Sequence, residues 1–186
     1  MNQLDAFATG DDAGHEHSAL IFDLSVTAAN AVRIHFRQNG EELDQAAWFC
    51  VLMEYLSLYL LLTDRALSGR IGLSQRQLPA DRFAVRCIEN AAATIFQNYS
   101  PEKIRRIQEE FMAHYRQSQH SYGACEKLSP EQDEGQDGTL IWEFAKTIGA
   151  ITGHAADATY LVFFTQIVNL PGLKLPELAA RPSGRA

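Results

Sequence analysis

Ala46-Ala-Trp-Phe-Cys50-Val-Leu-Met-Glu54-Tyr-Leu-Ser-Leu-Tyr59-Leu-Leu-Leu62 is the stretch that decides how this chain folds. It holds a single charged side chain, and apolar residues fall on every face of the helix it would form. A helix without a polar face has to be surrounded, by lipid or by other helices. The stretch is slightly short for a bilayer, and Glu54 sits at its centre, where hydrocarbon makes a carboxylate costly. We therefore read a central core helix over about residues 41–67. It opens on acids (Glu41, Glu42, Asp44) suited to the positive end of a helix dipole and stops near Ser68-Gly69.

The flanking sequence supplies what would surround it. Leu20, Ile21, Leu24, Ala28, Ala31, Val32 and Phe36 keep near-helical spacing, which predicts a helix over about 18–38. Ser18 is placed to cap that helix, and Asn39-Gly40 to end it in a left-handed turn. A third helix is expected over about 80–98, with Phe83, Cys87, Ile88, Ala91, Ile95 and Phe96 inward, after a loop holding Arg70, Gly72 and Pro79. Ser100-Pro101-Glu102 then starts a fourth, with a serine cap, a proline at the first position and an acid behind it.

That fourth helix is amphipathic. Ile104, Ile107, Phe111 and Tyr115 make one stripe, while Arg105–Glu109 and Arg106–Glu110 form pairs on the outside. Gly123 to Gly138 reads as an acidic loop, followed by helices over about 139–152 and 155–169 that meet at Gly153-His154 as a break or a kink. No strand pattern or internal repeat appears. The expected fold is all-α: an irregular bundle of about six helices around the 41–67 helix. Residues 1–17 are expected as a mobile arm, 18–170 as one helical domain and 171–186 as an extended tail.

Composition narrows the class. With 46% hydrophobic and 21% charged residues, 186 residues are enough for one self-supporting core. Three scattered cysteines (Cys50, Cys87, Cys125) exclude a disulfide framework, and the polar N-terminus lacks a secretory leader, so we expect a cytoplasmic protein. A net charge of −7 argues against nucleic-acid binding. The charge is uneven: residues 1–64 hold ten acids and two bases, residues 65–127 ten bases and six acids. These thirds either neutralise each other within the fold or orient a self-associating pair, with a dimer favoured.

Glu54 is the residue whose chemistry matters most. Its neighbours on the helix face are Ala47, Cys50, Val51, Ser57, Leu58 and Leu61, so no polar stripe leads it to water. A buried carboxylate must be protonated, hydrogen-bonded, paired or metal-bound. Either it meets an arginine, histidine or tyrosine of a neighbouring helix, or it is the floor of a pocket. Tyr55, Tyr59, Arg65 and Arg86 are the candidate ligand-binding neighbours in the second case. Arg65 lies eleven residues on, about 16 Å away along the same face, too far to pair directly.

Other motifs carry less. No Glu-x-x-His pair projects inward, and Glu110–His114, though at helix-neighbour spacing, falls largely on the charged face. His15 and His17 sit in the arm with nothing to preorganise them, and His35 and His154 stand singly, so neither metal nor cofactor is expected. Asp133 to Gly138 imitates a calcium loop, but Gly135 occupies a ligand position and Phe144 stands where the bidentate glutamate belongs. Cys50, beside Glu54 in the apolar helix, is expected to be buried and inert. No nucleophile or phosphate-binding motif occurs. Two functions remain: a non-catalytic interaction or regulatory protein (adaptor or chaperone-like binder) that self-associates and has a possible protein partner, or a pocket protein binding or transforming a small molecule around Glu54.

Overall fold

The computed structural model describes residues 12–68, 84–90, 95, 98–125, 127–128 and 137–169, with side chains of the first helix described from Ser18 onward. It is all helical, and no strand occurs among the described residues. In chain order the helices are α1 (Asp12–Gln38), α2 (Gln45–Ser68), α3 (residues 84–90), α4 (Pro101–Gly123), α5 (Leu140–Thr152) and α6 (Ala158–Asn169). The six-helix bundle expected from the sequence is the observed architecture. Residues 1–11, 69–83, 91–94, 96–97, 126, 129–136 and 170–186 lie outside the described residues, and with them most of the expected arm, the expected loop after α2, the two ends of the expected 80–98 helix, the acidic stretch and the expected tail.

α2 is the packing centre. It lies against α1, α4 and α5, while α6 packs on α1 and α5. Val51, Leu52, Tyr55, Leu56, Leu58, Tyr59 and Leu60 are all buried, and so are Val32 and Phe36 of α1, Phe111 of α4, Phe144 of α5 and Phe164 of α6. Ser18–Gln38 and Gln45–Arg65 are each long and apolar enough to cross a membrane, but the second window is mostly buried inside the bundle. One edge of α2 stays open near its start: Ala46 and Cys50 are exposed, and Phe49 and Met53 half-buried. The expectation of a buried Cys50 therefore fails, since its position on α2 faces this open edge.

Helix ends differ from expectation for local reasons. α1 is already helical at Asp12, so Ser18 lies inside it as a core residue; its hydroxyl accepts from Asn90 Nδ2 at 3.2 Å and ties α3 to α1. α2 starts four residues later than its acids suggested. Asp44 Oδ1 accepts the Ala47 N–H at 2.7 Å, which makes Asp44 the cap and leaves Glu41 to Leu43 outside the helix. α4 begins as expected, with Ser100 Oγ accepting from the Lys103 N–H and Pro101 in the first turn. α5 and α6 are separate helices. Gly153 takes φ +83°, which closes α5, and Asp157 Oδ1 accepts the Thr159 N–H at 2.9 Å to open α6.

Glu41, freed from the helix, clamps the two halves of the bundle. Its carboxylate accepts from the Tyr160 hydroxyl at 2.5 Å and lies 2.9 Å from His154 Nε2. These bonds hold it below the usual carboxylate range, the Tyr160 bond foremost. The His154 ring stacks on Tyr160 at 3.8 Å, and His35 stacks on Phe163 at 3.6 Å. The two single histidines of the sequence are thus aromatic packing groups joining the α1–α2 turn to α6.

Candidate functional site

The site is built on the buried acid. Glu54 is 1% exposed in the middle of α2, and both of its oxygens are taken. Oε2 lies 2.5 Å from His114 Nε2, and Oε1 accepts the Tyr122 hydroxyl in a short hydrogen bond. Tyr122 and Thr147 Oγ1 of α5 are hydrogen-bonded at 3.0 Å, and Ser118 Oγ sits 3.5 Å from His114 Nε2. Three helices therefore meet at one carboxylate through a continuous polar network.

α4 positions this network by its periodicity. Phe111, Tyr115, Ser118 and Tyr122 form its buried face, which extends the apolar stripe read from the sequence by two more turns. His114 borders that face one turn before Ser118, near enough for its imidazole to reach across to α2. The sequence had put His114 on the charged side with Glu110. The structure corrects this: Glu110 is exposed, whereas His114 turns inward and keeps 38% of its side chain in contact with solvent.

The electrostatics follow from this placement. The hydrogen bond to Glu54 raises the His114 pKa above its ordinary value, against the opposing effect of burial. Burial first, and the neighbouring Glu54 charge second, push the Tyr122 phenol far above its ordinary range, so it remains a neutral donor. The arrangement sets a sealed, doubly hydrogen-bonded carboxylate against an imidazole that is open to solvent.

Arg65 joins the same network at its far end. Its Nη2 donates to Tyr122 O at 2.7 Å and to Cys125 O at 2.9 Å, carbonyls at the C-terminal end of α4. The guanidinium thus complements the dipole of a neighbouring helix. Glu54 and Arg65, too far apart to touch, are bridged by one residue: Tyr122 gives its hydroxyl to the first and its carbonyl to the second.

Tyr55 and Tyr59 are both wholly buried, with ring centroids 6.1 Å apart, and Tyr55 packs edge-on to Phe144 at 4.9 Å. Among the described residues neither hydroxyl has a hydrogen-bond partner, nor does Ser57 Oγ. Burial raises both phenols well above their ordinary pKa. Arg86 is half-buried on α3, and no hydrogen bond or ion pair links it to Glu54 among the described residues. Of the five sequence candidates, then, Glu54 and Arg65 belong to one network, Tyr55 and Tyr59 form a separate buried pair, and Arg86 joins neither. His114, Ser118, Tyr122 and Thr147 were missed. The signal for Tyr122 lay in the Phe111–Tyr115 stripe continued two turns further. Among the described residues no group of three or more metal-binding side chains gathers.

No protein-family model, curated protein or solved structure matches this chain.

Proposed function

We propose that this chain is a non-catalytic helical interaction protein of the cytoplasm, an adaptor, regulator or chaperone-like binder that works as a self-associated pair and has a protein partner. The observation that carries the reading is the saturation of Glu54. Its two oxygens are occupied by His114 and Tyr122 of the same chain, so the acid is used to hold helices together. The uneven charge adds support, since an acidic first third and a basic middle third give two copies a preferred orientation. Sedimentation velocity across a wide concentration range, at low and high salt, tests the reading. It predicts a concentration-dependent dimer that salt weakens; a single monomeric species throughout overturns self-association.

A second reading keeps one specific observation. The hydroxyls of Tyr55 and Tyr59, without a hydrogen-bond partner among the described residues, are donors buried in an apolar core, which is what a small neutral acceptor molecule would require. Native mass spectrometry of the protein purified from its own cell separates the two. A retained small molecule that is lost on Tyr55→Phe supports this second reading, and a bare chain supports the first.

A further inference from the structure

We propose that Glu54, His114 and Tyr122 form a proton-controlled latch that docks α4 on α2, tight while His114 is charged and loosened when it is neutral. The proposal goes beyond the interaction role and stands on geometry. Glu54 is sealed at 1% exposure, whereas 38% of the His114 side chain meets solvent, so protons enter the pair from the α4 side. α4 packs on the body along Phe111, Tyr115, Ser118 and Tyr122, with Ile104 and Ile107 against Phe22 of α1 near its start, the latch at the edge of that face and Arg65 holding its C-terminal end.

Among the described residues, few groups surround the carboxylate. From α4 come His114 and Tyr122. From α2, Arg65 donates to the backbone carbonyls of Tyr122 and Cys125. From α5, Thr147 bonds Tyr122, and the Glu143 carboxylate accepts from Lys146 and from the Gly138 N–H. Among the described residues no titratable side chain of α1 or α3 has a hydrogen bond or ion pair to Glu54.

The sign follows from the raised pKa of His114. A folded value above the ordinary one near 6.5 gives stability that is fully present below about pH 6.5 and fades as pH rises through the folded value. Tyr122 stays neutral over this window, and the change of interest is that of the imidazole. Its deprotonation replaces a charge-assisted hydrogen bond by a neutral one, and α4 opens more often. Opening uncovers Phe111 and Tyr115, an apolar stripe suited to a protein partner.

Hydrogen exchange on the full chain, corrected for the intrinsic pH dependence of exchange and referenced to α5, reads the latch. Between about pH 5.5 and about pH 8.5, α4 protection in the wild type falls several-fold. In His114→Gln, which keeps a neutral donor, it stays flat. A flat wild-type profile, or an equal fall in the variant, overturns the proposal. The wild-type imidazole titration, followed by NMR, is an independent arm: a His114 midpoint above about 6.5 supports the latch, and one at or below that value overturns it.

Discussion

Replacing Tyr55 or Tyr59 by phenylalanine removes one oxygen from the centre of the bundle, and its outcome depends on a single structural fact. Both side chains are 0% exposed, and neither hydroxyl has a partner among the described residues. A buried donor left unsatisfied costs about 1–3 kcal/mol relative to its hydration in the unfolded chain. Removing it recovers that cost. The gap left by one oxygen is smaller than the methylene whose loss costs roughly 0.5–1.5 kcal/mol. Each variant should therefore be as stable as the parent or about 1 kcal/mol more stable, a rise of about 2–4 °C in Tm for a domain of this size.

The two rings lie 6.1 Å apart, so the double variant need not show the sum of the single effects. Tyr122→Phe is the contrasting control, since its hydroxyl is bonded to a buried carboxylate. That change should cost about 1.5–3 kcal/mol. Equilibrium urea unfolding followed by circular dichroism measures all four variants. A loss of about 1 kcal/mol or more in Tyr55→Phe or Tyr59→Phe refutes the reasoning, because that hydroxyl would then have a partner to lose.

Two further substitutions test the packing of the helices. A Cβ at Gly149 would meet Ala155 Cα and Leu161 Cδ2 at 3.0 Å and His154 O at 3.1 Å. Overpacking of about 1–3 kcal/mol then outweighs a helix-propensity gain of about 1 kcal/mol, so Gly149→Ala should lower stability in urea unfolding, and an unchanged midpoint would show that α6 yields freely. Arg65→Met keeps the apolar stem but removes both bonds to the carbonyls ending α4; thermal melts should show a loss of about 1–2 kcal/mol, and no loss would mean that water replaces the guanidinium fully.

Much of the architecture was legible because burial is written in composition. A run with one charge in seventeen residues has to be enclosed, and the helix carrying it is the core of the bundle. The Ser100-Pro101 start and the Gly40 stop were also readable, since each depends on residues adjacent in the chain. The start of α2 was misread because acids suit both a first turn and a position just before it. The Asp44 cap and the tertiary bonds of Glu41 to Tyr160 and His154 together decide between them. The partners of Glu54 were not legible either. They lie 60 and 68 residues away, and spacing along α4 gives a face without saying which helix it meets. His114 shows the cost of that: its spacing from Glu110 suggested an exposed pair, but at the border of the stripe a long side chain can turn either way.

The account depends on one bond, that between the Tyr122 hydroxyl and the sealed carboxylate of α2. A double-mutant cycle of Glu54→Gln and Tyr122→Phe by urea unfolding measures it with two nearly isosteric changes. The account predicts a coupling energy of about 1.5 kcal/mol or more, as for a hydrogen bond to a charged group. Additivity within about 0.5 kcal/mol would contradict it, and would mean that this carboxylate is held by something other than α4.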